Sequence, residues 1–321
     1  MLIKMNKKII PPLLVISIGA NAFFGYHHIF VPSGEVKQQL QYPLLSKRIF
    51  VENSNDMILN FIPLREALRE YVIAQNGKVG VYFEYLPSGI SIGVNDREEV
   101  KLASLSKVPL VMSILKKVER KHLTLDTKLT LREEWLDKKF GSLWQKGAGA
   151  TFTVEELINY SLKESDNTAY EALFSQLSGA DINEVYDNLD IQISNEQGSN
   201  YPLVSPKSYS SIFRSLYLSS FLNQEGSTFI LDILTKTIFN DKIPAGLPKE
   251  ILVAHKIGTY ERQDTSEDVH IDCGIVYFPN RPYTLCIFVQ DSNEQALKHM
   301  SYISKIVYEY LSLIQIEKIS K

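Results

Sequence analysis

Ala103-Ser104-Leu105-Ser106-Lys107-Val108-Pro109-Leu110 is where this chain changes from strand patterning to helix patterning. Ser104 and Lys107 stand three apart, so on a helix they share a face, while Ser106 points elsewhere. A serine hydroxyl is a weak nucleophile until a base removes its proton. A lysine can be that base once desolvation or neighbouring positive charge depresses its pKa. The pattern is weak by itself. Ser113-Ile114-Leu115-Lys116 repeats it, and an N-cap serine followed by a solvated lysine is its ordinary meaning.

Upstream, Val79, Val81 and Phe83 alternate with smaller or polar residues, Pro87-Ser88-Gly89 supplies a turn, and Ile90 to Val94 alternates again. That is a hairpin, preceded by helical spacing over Leu64 to Ile73. Downstream, helical periodicity runs to about Leu222. Thr151 or Thr153 offers a cap before Val154-Glu155-Glu156, and Ser205-Pro206 opens a further helix. Strand character returns over Ile251 to Thr259 and in two runs separated by Pro279-Asn280-Arg281-Pro282, and Ser301 to Leu313 closes as an amphipathic helix. The order predicts an α/β chain of the α+β kind, an antiparallel sheet flanked by terminal helices with an all-α region inserted at about 108–250.

Two further elements match the chemistry of the first. Ser165-Asp166-Asn167 follows the helix that starts near Thr153; taken alone it reads equally well as a helix boundary rich in capping residues. Lys256-Ile257-Gly258-Thr259 lies on the strand that returns after the insert. There Lys256 offers charge to a carboxylate, Gly258 permits close backbone approach, and Thr259 offers a hydroxyl on the face of Ile257. Taken alone, an edge-strand turn of no consequence is the plainer meaning.

In order, Ser-x-x-Lys, Ser-Asp-Asn and Lys-x-Gly form the triplet of class A β-lactamases and penicillin-binding proteins. Val79-Gly80-Val81-Tyr82-Phe83-Glu84-Tyr85-Leu86-Pro87-Ser88-Gly89, the run from Ala103 to Leu110, the 61-residue spacing from Ser104 to Ser165, and Ser165-Asp166-Asn167-Thr168-Ala169-Tyr170-Glu171-Ala172-Leu173 all resemble class A β-lactamases, from about Leu64 to Leu313. The resemblance implies that Ser104 attacks an amide carbonyl and Lys107 accepts or relays its proton. It implies that Ser165 passes a proton to the leaving nitrogen, that Asn167 holds substrate and Lys107, and that Lys256 steers a substrate carboxylate. Backbone N–H groups of Ser104 and Thr259 would form the oxyanion hole, and Asp166 would be structural.

Two departures stand out. Ile257 occupies a place where the family carries a hydroxyl residue, a loss for which Thr259 is the available compensation. The loop after Asn167 is about a dozen residues short and has no Glu-x-x-Leu-Asn; Glu196 is the one glutamate inside it. A deacylating water needs a base within hydrogen-bond reach, so slow deacylation is expected. Besides a class A-like β-lactamase, the residues suit a cell-wall peptidase acting on D-Ala-D-Ala ends, with a peptidoglycan stem peptide as substrate. They also suit a receptor that stays acylated.

The bulk composition fits an ordinary globular protein, 45% hydrophobic and 22% charged over 321 residues. A net charge of -3 supplies no basic patch, which argues against a nucleic-acid partner. The histidines are scattered and give no ligand spacing, so no metal or cofactor is expected, and a monomer is. His255 is expected to point to the strand face opposite Lys256. Lys4, Lys7 and Lys8 precede an apolar run from Ile9 to Phe24, the order of an export signal. Residues 1–30 are therefore expected to be a signal peptide or a membrane anchor, 31–60 a connector, and 61–321 the hydrolase domain outside the cytoplasm. Cys273 and Cys286 should oppose each other on a hairpin centred between them. Two small buried apolar residues are the preferred expectation, and a disulfide the alternative.

Overall fold

The structure, a computed structural model, describes residues 60–191, 194–195, 202–260 and 268–319. The expected leader at 1–30 and the connector up to residue 59 lie outside the described residues. In chain order the elements are α1 (Ile62–Ile73), β1 (Lys78–Tyr85), β2 (Ile90–Val94), β3 (Val100–Lys101), a 3₁₀ turn (Ala103–Ser106) and α2 (Lys107–Glu119). Next come β4 (Lys128–Thr130), β5 (Thr151–Thr153), α3 (Val154–Lys163), α4 (Asn167–Phe174) and α5 (Gly179–Asn188). After them follow β6 (Ser194–Asn195), β7 (Pro202–Val204), α6 (Pro206–Leu218) and α7 (Gln224–Leu234), then β8 (Val253–Tyr260), β9 (Asp268–Val276), β10 (Tyr283–Asp291) and α8 (Asn293–Ile319).

Sequence alternation becomes two buried faces of one antiparallel sheet, in the order β2-β1-β10-β9-β8. Val79, Val81, Phe83 and Tyr85 of β1 join Leu64, Leu68 and Val72 of α1 and Met300, Ile303 and Val307 of α8 in one core. The terminal helices thus cover the same face. Each large apolar side chain removed from water there contributes about 1.5–3 kcal/mol. The opposite face receives α6: Gly80 leaves room for Pro206, and buried Glu84 accepts an ion pair from Arg214 at 3.4 Å. Because both faces are covered, β1 reads as a nearly continuous buried run.

Helix starts follow the local chemistry. Thr153 accepts from Glu156 N–H and Glu156 reaches back, a reciprocal cap that selects Thr153 over Thr151. Ser205 caps α6 in the same way, with Pro206 in the first turn. The insert is not all helical, however. β4 pairs with β5, and β6 pairs with β7, which also pairs with β3. These pairings of two or three residues tie loop ends together, and no periodic pattern that short is legible in sequence.

The hairpin register places Cys273 opposite Cys286, as expected. The preferred expectation of two separate buried thiols is corrected: the sulfurs are bonded. The Cα atoms lie 4.1 Å apart, the narrow spacing of a directly opposed antiparallel pair, so two side chains that small meet with nothing between them.

Candidate active site

Ser104 lies in the 3₁₀ turn and Lys107 opens α2. In a 3₁₀ turn residues three apart eclipse one another, so the lysine sits directly over the hydroxyl. Lys107 Nζ donates to Ser104 Oγ at 3.0 Å and to Asn167 Oδ1 at 2.8 Å. The turn is held from across the fold: Tyr209 of α6, fully buried, donates its hydroxyl to the carbonyl of Leu105 at 2.8 Å. Ala103, just before the nucleophile candidate, has φ 45°, and Ser165 has φ 57°. Non-glycine residues in that region cost about 1–3 kcal/mol each and persist only where surrounding structure holds them.

Ser165 is aimed by that backbone at Lys256, whose Nζ donates to its Oγ at 2.8 Å and to the carbonyl of Ile257 at 3.2 Å. Lys256 is 1% exposed. Asp166 turns away and caps α4, accepting from the N–H groups of Ala169 and Leu143 at 2.8 Å each. Gly141, at φ 92°, leaves the space this carboxylate fills.

β8 is the edge strand of the sheet, and the 3₁₀ turn packs against it. A Cβ on Gly258 would meet Ala103 at 3.4 Å and Leu105 at 3.6 Å. The room left by that glycine therefore serves packing of the nucleophile turn as well as any ligand. Ile257 is buried, with Thr259 on its face, opposite Lys256 and Gly258. The Ile257 carbonyl that accepts from Lys256 points off the sheet edge. In an antiparallel ladder the outward peptide groups recur every second residue, so Thr259 also turns its N–H to the edge beside the 3₁₀ turn.

Burial dominates the electrostatics. It lowers Lys107, 3% exposed, from 10.5 to about 8, with the charges of Asp166, Asp137 and Glu171 acting the other way. Lys256 is pushed well below its ordinary range by burial and by the positive charge of Lys107, partly offset by Asp272. Lys242, itself buried, pushes the same way. Lys242 is a residue the sequence did not single out; only the fold brings it near.

The remaining candidates separate cleanly. Ser113 Oγ donates to the carbonyls of Pro109 and Asp181, and Lys116 to Glu119 and the carbonyl of Phe221, so the second Ser-x-x-Lys is structural. His255 points to the face opposite Lys256, as expected, with Nδ1 2.8 Å from buried Asp272. Paired register positions share a sheet face, so Lys256, Cys273 and Cys286 form one row, and the disulfide braces the sheet beside Lys256. Glu196 lies outside the described residues.

The chain resembles known proteins over most of its length. The profile of a family described as "Beta-lactamase enzyme family" matches residues 63–311. A β-lactamase of Phocaeicola vulgatus is 26% identical over 298 residues, covering 85% of this chain and 91% of that one. The β-lactamase VEB-1 of Pseudomonas aeruginosa is 24% identical over 260 residues, covering 74% and 86%. Among solved structures, PBP-A superposes with TM-score 0.70 at 25% identity over 78% of this chain and 96% of its own. The TLA-3 extended-spectrum β-lactamase shares the fold at TM-score 0.73 and 21% identity, covering 78% and 99%. With the matched profile spanning most of the chain, this protein belongs to the β-lactamase enzyme family of serine hydrolases, which work through an acyl-enzyme.

Proposed function

We propose that this chain opens β-lactam amide bonds through an acyl-enzyme on Ser104, and that deacylation is its slow step. The observation that carries the reading is the 3.0 Å contact between Lys107 Nζ and Ser104 Oγ, made by a lysine whose pKa is brought to about 8 by burial. A fraction of Lys107 is then neutral near pH 7–8 and accepts the Ser104 proton as Oγ attacks the lactam carbonyl. Backbone N–H groups of Ser104 and Thr259 receive the developing oxyanion, each such donor contributing a few kcal/mol. Ser165, its hydroxyl held by Lys256, passes a proton to the departing nitrogen. Lys256 is placed to pair with the carboxylate of an anionic substrate, whose charge would offset the burial and the Lys107 and Lys242 charges that lower its pKa. Asn167 keeps Lys107 aligned.

Slow deacylation is supported by the shortened loop without Glu-x-x-Leu-Asn. A variant of PBP-A held as an acyl-enzyme with penicillin G has the same fold at TM-score 0.70 and 25% identity. The lysine-flanked apolar run from Ile9 to Phe24 supports export as a signal peptide or anchor.

Intact-mass spectrometry of the chain with a chromogenic β-lactam, with turnover followed in the same tube and Ser104→Ala as control, tests the reading. A Ser104-dependent adduct that decays as product forms is the expected result. An adduct that never decays points instead to a peptidase or an acylated receptor, and no adduct removes Ser104 as nucleophile.

A further inference from the structure

The loop after Asn167 carries no Glu-x-x-Leu-Asn, but the helix that carries Asn167 has a carboxylate one turn further on. Asn167 opens α4 and accepts from Lys107 Nζ at 2.8 Å. Tyr170, on the next turn, holds its ring 5.4 Å from the same Nζ. Glu171 stands four residues after Asn167, on the same helix face. Helical side chains lean toward the N-terminus, so the Glu171 carboxylate leans back toward Asn167 and Lys107. The electrostatic coupling between Glu171 and Lys107 acts in both directions.

Three further observations suit this carboxylate to a base. Among the described residues no hydrogen bond or ion pair occupies it, whereas neighbouring Asp137 is engaged, its Oδ1 accepting from Lys139 N–H at 2.7 Å. Glu171 is solvent-exposed, so water reaches it. Partial burial and the charge of Asp137 raise its pKa, with Lys107 partly offsetting, which strengthens it as a proton acceptor while it stays open to solvent.

We propose that Glu171 is the general base of deacylation. The proposal rests on the acyl-enzyme reading above. A water beside Glu171 forms a bond from its oxygen to the carbonyl carbon of the Ser104 ester, and its proton passes to the Glu171 carboxylate. The tetrahedral intermediate collapses by breaking the bond between that carbon and Ser104 Oγ. Oγ regains a proton from Glu171, directly or by way of Lys107, and the product leaves as a carboxylic acid, which then ionises. Water and ester become acid and alcohol, with no other reactant consumed.

The test follows acyl-enzyme formation and decay in the full chain with a chromogenic cephalosporin and with benzylpenicillin, by stopped flow and intact mass. Its variants are Glu171→Gln, Glu171→Asp and Glu196→Gln. Glu171→Gln is expected to slow deacylation by roughly 10²- to 10⁴-fold, so that the Ser104 adduct accumulates after a burst while acylation continues. Glu171→Asp should recover part of the rate, and the acidic limb of the deacylation pH profile should vanish in Glu171→Gln. The proposal is overturned if Glu171→Gln deacylates at the wild-type rate. It is also overturned if that variant slows acylation and deacylation in the same proportion, or if the loss appears in Glu196→Gln instead. A wild-type chain that never forms a Ser104 adduct overturns the acyl-enzyme reading itself, and that is seen before any variant is made.

Discussion

Ser104 and Lys107 belong to different elements, the hydroxyl to a 3₁₀ turn and the amine to the first residue of α2, yet Nζ lies 3.0 Å from Oγ. The tighter turn aligns positions three apart more closely than an α-helix would. The same Nζ donates to Asn167 Oδ1 at 2.8 Å, so one buried amine joins the nucleophile turn to α4.

Lys107→Arg keeps the charge and removes the proton acceptor, because arginine stays protonated. Acylation of Ser104 should fall by roughly 10²- to 10⁴-fold, the usual weight of a positioned acid–base group. Single-turnover acylation rates check this; an arginine variant acylating at the wild-type rate would remove Lys107 as base.

The pH dependence of stability has a definite sign. Lys107 falls from 10.5 to about 8 on folding, so between those values the folded state binds fewer protons than the unfolded one. Unfolding therefore costs more as pH rises from about 8 to 10.5, and the site is silent below and above that window. Over the whole window the gain is about 3 kcal/mol, as an order of magnitude. Lys256, lowered in the same direction, adds to the slope. Denaturant midpoints from pH 7.5 to 10.5 should rise less steeply in Lys107→Met than in wild type.

Tyr209→Phe leaves the buried carbonyl of Leu105 without its donor. Leaving one buried acceptor unsatisfied costs about 1–3 kcal/mol. A lower urea midpoint should come with slower acylation, since the turn that presents Ser104 loses its anchor. An unchanged midpoint would mean that water takes the place of the hydroxyl.

At Ser165 the two obvious truncations differ. Both Ser165→Ala and Ser165→Gly delete the hydroxyl that Lys256 holds, and both should lose activity alike. The left-handed backbone at φ 57° costs an alanine about 1–2 kcal/mol and a glycine little. Thermal unfolding should therefore rank Ser165→Gly above Ser165→Ala; the reverse order would show that the native φ is not retained.

Much of this protein is written locally. Alternation in β1 and β2, the caps at Thr153 and Ser205, and the paired cysteine runs are set by neighbours in sequence, through period-two burial and backbone capping, and they are legible there. The three motifs at Ser104, Ser165 and Lys256 are likewise visible as residue types in order. What only the tertiary structure decided depends on contacts across long sequence separations. These include the bond between Cys273 and Cys286, the anchoring of Leu105 by Tyr209, the pairing of His255 with Asp272, and the burial that lowers Lys107 and Lys256. Desolvation and direct bonding are properties of what packs around a side chain. The same lysine on an exposed helix would keep its ordinary pKa, and Ser104 beside it would be an unremarked surface hydroxyl.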